Sequence, residues 1–351
     1  MLRICIIGPE GTGKSELFGL LSGEKPKDAM LSETFTPPLA VLGFENAQVD
    51  ELMKLLPGRT AKHTQYSLLD FPGFGKGTPP KLMSRILPEL RKADLAVVVL
   101  KAQSGAEAAK AWQAFHQELI LTDYSCSESA LTNLRTRLKS VKRAEDDPRY
   151  KLLAQVVAML EAGEGLCAKL TPEERTELGD LALLTAKPLL LVINTGDKVV
   201  DAALHDELSQ ALDGEEGITR WVALPVDLAA ELAAIPEGEQ GEFKELYGVT
   251  EPLLPPVQDA LLPTLGHISF YTYNEKELTV WTVPDGSTAV QAAGAIHTDI
   301  AKGFIRAEVF NAADVIELGS PDKIKPAGKH RLEGKEYLIR NGDIITVHFS
   351  K

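Results

Sequence analysis

A pattern of residues that could bind a polyphosphate lies near the start of the chain. Residues 8–15 fit G-x-x-x-x-G-K-[ST], and they follow an apolar run and precede a helical spacing, as this pattern requires. The glycines let backbone N–H groups turn inward toward a β-phosphate, and the helix N-terminus adds its positive dipole end. Lys14 would supply a charge to the β- and γ-phosphates, and Ser15 a hydroxyl to Mg²⁺. We predict nucleotide contacts, or alternatively a glycine-rich turn that binds nothing, at Gly8, Gly11, Thr12, Gly13, Lys14 and Ser15.

A second candidate lies where the next predicted strand ends, at Asp70-Phe71-Pro72-Gly73. An aspartate at this place can hold Mg²⁺ through water, and Gly73 can offer its N–H to a γ-phosphate and move with it. Asp, Pro and Gly also form ordinary turns, so a plain turn is the alternative. We predict that Lys14, Asp70 and Gly73 act in catalysis and that Ser15 and Asp70 belong to the metal site.

A third candidate, Asn194-Thr195-Gly196-Asp197, follows another apolar run. Doubly wound folds place their ligand-binding loops at such positions. The segment is similar to the base-reading N-K-x-D of GTPases, with Thr195 where lysine is usual. Asp197 could accept hydrogen bonds from guanine N1–H and N2–H. We predict that Asn194 and Asp197 contact the nucleotide, and an Asn-Gly type of turn is the alternative.

The elements that would position these residues alternate between strands and helices. Nearly continuous apolar runs, typical of a parallel sheet covered by helices on both faces, occur at residues 2–7, 66–69, 95–100, 189–193 and 221–226. Between about 106 and 184, two amphipathic stripes joined by a charged turn predict a helical hairpin. From about 266 onward, short strands, one helix and turn residues predict a small α+β module.

The composition narrows the functional class. The chain has 351 residues, with 37 Lys and Arg against 50 Asp and Glu, giving a net charge of −13. This charge excludes a uniformly basic coat for nucleic acid. The three cysteines form no C-x-x-C pair, which excludes a zinc ribbon and a disulfide framework. No apolar run approaches the ~20 residues that span a bilayer, so we expect no membrane contact. The cysteine usage favours reduced thiols in a cytoplasmic protein, and we expect a monomer.

Several segments resemble one known family, the YchF-type Obg-like ATPases. The most specific are residues 296–309 and 328–337, followed by 341–345, and residues 118–123 resemble the start of that family's helical insertion. The resemblance implies an α/β P-loop G domain with a doubly wound, mostly parallel sheet, a helical hairpin insertion, and a C-terminal β-grasp, ubiquitin-like TGS domain. The corresponding divisions are 1–105 and 185–265 for the G domain, 106–184 for the insertion and 266–351 for the TGS domain.

The resemblance also implies an activity. Members hydrolyse ATP or GTP with Mg²⁺ and associate with ribosomes. Thr34 aligns with the family's switch threonine, which implies a third residue of the metal site, and Phe74 stands where many GTPases have a catalytic glutamine. Because phenylalanine cannot orient water, we expect slow hydrolysis without a partner. The hypothesis is a translation-linked NTPase switch, and the alternative is a nucleotide-gated binding module with negligible turnover.

The chain departs from the family at four points. Glu10-Gly11-Thr12 replaces Pro-Asn-Val in the phosphate loop, which puts a carboxylate near a polyphosphate site unless Glu10 points outward. The base-reading motif ends in Asp197 rather than glutamate, so the preference between ATP and GTP stays open. Pro225-Val226-Asp227-Leu228 does not match the family's second base loop, and no histidine after Leu100 matches a catalytic one.

A basic cluster on the predicted hairpin is the candidate contact to RNA or the ribosome. Basic side chains on an acidic protein can contact RNA phosphates, whereas a solvated helix face is the alternative. The cluster consists of Arg135, Arg137, Lys139, Lys142 and Arg143.

Overall fold

The computed structural model describes residues 1–24, 35–44, 46–138 and 146–350. Its contacts divide the chain into two compact units. The first consists of Met1–Val41 and Ser67–Val257, and the second of Leu42–Tyr66 and Gln258–Lys351. Thr34, Lys139, Lys142 and Arg143 lie outside the described residues.

Strands and helices alternate through the first two thirds of the chain. The strands are β1 (Leu2–Ile7), β2 (Leu39–Gly43), β3 (Thr60–Lys62), β4 (Gln65–Asp70), β5 (Leu95–Lys101), β6 (Leu189–Asn194), β7 (Arg220–Leu224), β8 (His267–Tyr273), β9 (Glu277–Pro284), β10 (Phe304–Asn311), β11 (Arg331–Glu333) and β12 (Asp343–Phe349). The helices are α1 (Lys14–Ser22), α2 (Ala47–Leu55), α3 (Pro80–Leu90), α4 (Gly105–Leu138), α5 (Pro148–Glu161), α6 (Pro172–Glu177), α7 (Ala202–Leu212), α8 (Val226–Ala234), α9 (Gln240–Tyr247), α10 (Pro255–Thr264), α11 (Ala289–Ile296), α12 (Thr298–Lys302) and α13 (Ala312–Leu318). Within the described ranges, none of these helices has both the length and the apolar composition needed to cross a membrane.

The first sheet runs in the order β2-β4-β1-β5-β6-β7. Strands β1, β5, β6 and β7 are parallel, with Ile4 opposite Leu95 and Lys101 opposite Asn194. Every residue of β6 and all but the last of β5 are buried, because helices cover both faces of a sheet of this kind. The order reverses around β1, which brings the loops after β1, β4, β5, β6 and β7 to one edge. This confirms the predicted doubly wound, mostly parallel α/β sheet.

The predicted helical hairpin is formed by α4 and α5. Helix α4 has 34 residues, and its buried Leu134 belongs to one apolar cluster with Leu153, Val156 and Leu160 of α5. Asp147 caps the start of α5. Helix α6 begins with a capping box at Thr171, because a threonine at the N-cap and a glutamate three residues later satisfy two otherwise unpaired N–H groups.

The second unit contains a sheet in the order β11-β10-β12-β8-β9-β3. Strands β8 and β9 form an antiparallel hairpin, β12 lies parallel to β8, and β10 is antiparallel to β12 and β11. The order β9-β8-β12-β10-β11 with this pattern of directions is that of a β-grasp sheet. Helix α11 packs on one face over Phe270, Ala307 and Val309. The predicted C-terminal β-grasp fold is confirmed.

Residues 42–66 belong to this second unit, although the sequence-based division had not separated them from residues 1–105. Strand β3 pairs in parallel with β9 and extends the sheet. Helix α2 buries Val49 and Leu52 against Tyr271 and Leu278 on the face opposite α11. The Tyr271 hydroxyl donates to Gln48 Oε1 at 3.0 Å and accepts from Asn46 Nδ2 at 3.1 Å. A segment that precedes β4 of the first sheet is therefore an integral part of the C-terminal unit.

Candidate nucleotide-binding site

The loop between β1 and α1 has a backbone that only glycine can adopt at two positions. Gly8 has φ +145°, and a Cβ atom there would lie 2.3 Å from the carbonyl oxygen of Val99. Gly13 has φ +90°, and its Cβ would lie 2.6 Å from Asn194 Nδ2. Gly13 is also the N-cap of α1 and makes no side-chain capping bond. The first N–H groups of a helix have no partner within the helix, so this turn presents them at the sheet edge.

Lys14, Ser15 and Asp70 meet beneath this loop. Lys14 is 6% exposed, and its Nζ donates to the carbonyl oxygen of Pro9 at 2.5 Å. The Ser15 hydroxyl donates to Asp70 Oδ2 at 2.6 Å. The structure therefore brings Ser15 and Asp70, which are 55 positions apart in the sequence, into direct contact.

The two charged groups of this cluster have shifted pKa values. Burial lowers the pKa of Lys14, with Asp70 as the largest opposing charge. Burial also raises the pKa of Asp70, against the hydrogen bond from Ser15 and the charge of Lys14. The other carboxylate oxygen, Asp70 Oδ1, is buried and has no hydrogen-bond partner in the described structure. Because buried polar atoms are nearly always satisfied, this oxygen has the capacity to accept a bond from a ligand.

The residues after Asp70 pack directly on the phosphate loop. A Cβ atom at Gly73 would lie 2.6 Å from the backbone nitrogen of Glu10, so a side chain at 73 would separate the two loops. The N–H of Phe74 donates to the carbonyl oxygen of Gly8 at 3.2 Å. Phe74 is 3% exposed, and its ring centroid lies 5.3 Å from that of Phe115. Phe74 therefore belongs to the core.

A cavity of about 480 Å³ adjoins these loops. Its lining includes Pro9, Glu10, Gly73, Lys76 and Glu118. Glu10 is exposed, and a carboxylate that points outward is compatible with a nearby polyphosphate.

Asn194 holds three loops together. Its Nδ2 donates to the carbonyl oxygen of Thr12 and to Asp227 Oδ1, both at 3.1 Å. Its Oδ1 accepts from the N–H groups of Gly196 at 2.8 Å and Val226 at 3.1 Å. An asparagine side chain has two donor and two acceptor positions, and all four are used inside the protein. Asn194 therefore positions the site, with no capacity left for a ligand.

The other residues of the 194–197 loop differ in exposure. Thr195 is fully buried, and its hydroxyl donates to the carbonyl oxygen of Lys198 at 2.6 Å. Asp197 is exposed at the same edge of the sheet. Of the two residues predicted to contact the nucleotide here, only Asp197 thus presents a free face to solvent.

Lys101 and Asp227, which the sequence analysis did not select, lie at this edge as well. Lys101 Nζ is 2.8 Å from Asp227 Oδ2. Asp227 lies in the Pro225–Leu228 segment, which does not match the second base loop of the resembled family. Lys101 ends the apolar strand β5, which was a local signal in the sequence, whereas Asp227 lies in the first turn of α8 and carried no such signal.

The predicted metal site includes one residue, Thr34, about which the structure gives no information. In the part of the chain that is described, no group of three His, Cys, Asp or Glu side chains could hold a metal ion. Of the basic cluster, Arg135 and Arg137 are exposed in the last turn of α4.

The side chain of His116, on α4, is buried among its neighbours. The ring of His116 stacks on Trp112 with centroids 4.8 Å apart, and a Cβ atom at Gly217 would lie 2.5 Å from its Nε2. Burial lowers the pKa of His116, against the charge of Glu216.

Comparison with known proteins agrees with these features. The family model YchF-GTPase_C, described as "Protein of unknown function (DUF933)", matches residues 267–350. The "Ribosome-binding ATPase YchF" of Escherichia coli O157:H7 is 28% identical over 362 residues, and that of Bacillus subtilis is 27% identical over 360, each alignment covering 98% of both chains. The structure of the Schizosaccharomyces pombe YchF GTPase is similar with a TM-score of 0.75 and 22% identity, covering 99% of this chain and 97% of the other. Together with the phosphate loop, the helical hairpin and the C-terminal β-grasp sheet, these comparisons show that the chain is similar to YchF proteins over nearly its whole length.

Proposed function

We propose that this protein is a Mg²⁺-dependent nucleoside triphosphatase with slow turnover that acts as a ribosome-linked switch. The relatives named above are ribosome-binding ATPases. The observation that carries the proposal is the meeting of Lys14, Ser15 and Asp70 under a glycine-rich loop, with Ser15 Oγ 2.6 Å from Asp70 Oδ2.

The chemistry of these side chains fits Mg²⁺. Asp70 Oδ1, which has no partner among the described residues, and the Ser15 hydroxyl are both oxygen ligands for a metal ion. Mg²⁺ prefers oxygen ligands, and it commonly binds one or two protein side chains together with phosphates and water. This also explains why a group of three acidic side chains is not required. Ser15 and Asp70 would hold the ion, with Thr34 as the further proposed residue. The ion would neutralise charge on the β- and γ-phosphates.

The phosphate loop would bind and orient the triphosphate. The N–H groups from Gly8 to Ser15 would face phosphate oxygens, as at other helix N-termini that bind anions. In this scheme the Lys14 ammonium exchanges its bond to the Pro9 carbonyl for one to phosphate. Gly73, packed on Glu10, would offer its N–H to the γ-phosphate, and loss of that phosphate would release the loop.

We expect slow turnover because the residue after Gly73 is a phenylalanine. The ring of Phe74 is buried against Phe115 and has no group that could orient a water molecule. The ring of His116 is enclosed elsewhere. Both observations also favour a second candidate function, a nucleotide-gated binding module with negligible turnover.

The choice of base and the docking surface complete the proposal. The exposed Asp197 could accept from guanine N1–H and N2–H, whereas the named relatives are ATPases, so the substrate is GTP or ATP. Arg135 and Arg137, with Lys139, Lys142 and Arg143, are the proposed contact to ribosomal RNA. The proposed functional division is a G domain at 1–105 and 185–265, an insertion at 106–184 and a TGS domain at 266–351, although residues 42–66 pack in the second compact unit.

A single-turnover hydrolysis assay with ATP or GTP, Mg²⁺ and excess protein, with and without ribosomes, tests this function. We expect slow hydrolysis by the protein alone, acceleration by ribosomes, and none by Lys14→Ala. Lys92→Ala, which removes an exposed lysine paired with Glu89, is the matched control and should behave as wild type. Binding without hydrolysis under both conditions would favour the gated module.

A further inference from the structure

A lysine outside the predicted motifs lies beside the 194–197 loop. Lys101 is the last residue of β5 and is the register partner of Asn194 on β6. Its side chain is 46% exposed, and its Nζ forms an ion pair of 2.8 Å with Asp227 Oδ2. The register fixes Lys101 at the same sheet edge as the phosphate loop.

Asp227 orients this lysine. It lies in the first turn of α8, and its Oδ1 accepts from Asn194 Nδ2 at 3.1 Å while Oδ2 accepts from Lys101. Hydrogen bonds from Lys101 and Asn194 outweigh the opposing effect of burial and lower the pKa of Asp227. The Asp227 carboxylate is therefore positioned by the fully buried Asn194 and in turn positions the ammonium group of Lys101.

The absence of a side chain at Gly196 leaves the space between these groups open. A Cβ atom built there would lie 3.8 Å from Lys101 Cε, 3.7 Å from Asp227 Oδ2 and 3.6 Å from Gln103 Nε2. Lys101 therefore passes over the backbone of the loop that ends in Asp197. Thr195, which has the place of the usual motif lysine, is buried with its hydroxyl bonded to Lys198, so it cannot reach this surface.

We propose that Lys101, held in place by Asp227, contacts the purine ring and replaces the lysine that the 194–197 motif lacks. This inference rests on the proposed nucleotide binding. An ammonium group can donate to N7, which is an acceptor in both adenine and guanine. Lys101 therefore strengthens the binding of both bases, and Asp197 remains the group that distinguishes guanine.

The test compares purine nucleotides with a ligand that has no base. Lys101→Met keeps most of the side-chain length and removes the ammonium group. Calorimetric titrations with Mg²⁺ and the β,γ-imido analogues of ATP and GTP should show about tenfold weaker binding for both, the size expected for a hydrogen bond from a charged donor. Affinity for inorganic tripolyphosphate, measured by competition, should not change. Lys101→Arg should retain most of the purine affinity, and Lys92→Met, at an exposed ion pair, should match wild type.

Three results would overturn the inference. Unchanged affinity of Lys101→Met for both analogues would show that Lys101 does not contact the base. An equal loss of affinity for tripolyphosphate would place its action on the phosphates. If the wild-type protein bound neither analogue nor tripolyphosphate, the proposed function itself would fail, and this inference with it.

Discussion

Two regions differ in whether their buried carboxylate has hydrogen-bond partners. One is the sheet edge of the first unit that carries the phosphate loop, and the other is the part of the second unit that includes residues 328–337 and 341–345. At the sheet edge beside the phosphate loop, the buried Asp70 Oδ1 has no hydrogen-bond partner among the described residues. In the second unit, Asp343 is 0% exposed and both oxygens are bonded. Its Oδ2 accepts from the Tyr337 hydroxyl at 2.7 Å and from the Arg340 N–H at 3.0 Å, and its Oδ1 accepts from Asn311 Nδ2 at 3.3 Å.

This difference teaches which family motifs are sites and which are structural. Tyr337 and Asp343 belong to the segments that carry the family resemblance most specifically, yet they satisfy each other inside the second unit. His297, in the same signature, caps α12 by accepting from the Asp299 N–H. The paired polar atoms of Tyr337 and Asp343 stabilise the fold of the second unit, whereas Asp70 Oδ1 keeps the capacity to bind a ligand.

The largest expected effect comes from removing the buried carboxylate of the second unit. Asp343→Ala should lower the free energy of unfolding by about 3 kcal/mol, because Tyr337, Arg340 and nearby Arg331 would lose their acceptor. Chemical denaturation measures this change. Nucleotide affinity of the folded variant should stay at the wild-type value, and Glu336→Ala, an exposed position, is the control. A nucleotide-binding defect in folded Asp343→Ala would break the distinction between the two regions.

The next effect concerns the exposed carboxylate of the first unit. Asp197→Ala should weaken the binding of a GTP analogue by about tenfold or more, because a charged acceptor for two guanine donors is lost. Binding of the ATP analogue should change little, and stability should be unaffected since Asp197 is exposed. Titration calorimetry with both analogues measures the difference. If neither affinity changes, Asp197 does not read the base.

These two regions also show how far the sequence alone could lead. The phosphate loop, the Asp70 and Asn194 segments and the apolar strands were predicted because their signals are local in sequence. The fully exposed three-residue strand β3 carries no apolar alternation, and its pairing with β9 links residues more than 200 positions apart. The Lys101–Asp227 pair spans 126 positions. The satisfied amide of Asn194 likewise depends on three loops that only the fold brings together.

A smaller effect tests the unexpected place of α2 in the second unit. Tyr271→Phe removes the hydroxyl that joins Asn46 and Gln48 to the sheet, which should cost about 1 kcal/mol of stability. Amide hydrogen exchange should show the loss of protection in residues 47–55 first. Tyr247→Phe, at a partly exposed position, is the control. Equal protection of α2 in wild type and variant would show that these bonds do not hold the helix.

The smallest effect concerns a surface cluster of the second unit. Glu308 accepts from His330 Nε2 at 2.8 Å and His348 Nε2 at 2.9 Å, with Lys325 at 4.0 Å. The hydrogen bonds from His330 and His348 lower the pKa of Glu308 below its ordinary value of 4.5. The stabilisation that these hydrogen bonds provide is therefore fully present above the ordinary pKa of 4.5. It is lost as the pH falls through the lower pKa of Glu308 in the folded state.

Glu308→Gln should remove this pH-dependent contribution, about 0.5 kcal/mol for a partly exposed cluster. Thermal unfolding between pH 7 and pH 3 should show a smaller acid-side decline in the variant than in wild type. Glu336→Gln, at an exposed position, should follow the wild-type curve. Identical curves for Glu308→Gln and wild type would show that this cluster does not contribute to the pH dependence of stability.

Lys14, Ser15 and Asp70 are proposed to form a triphosphate site. Calorimetric titration with a β,γ-imido triphosphate and Mg²⁺ tests this assignment most directly. Wild-type protein should bind at least one of the adenine and guanine analogues, and Lys14→Ala should bind neither while unfolding at the same temperature. Unchanged affinity in a folded Lys14→Ala variant would contradict the site assignment.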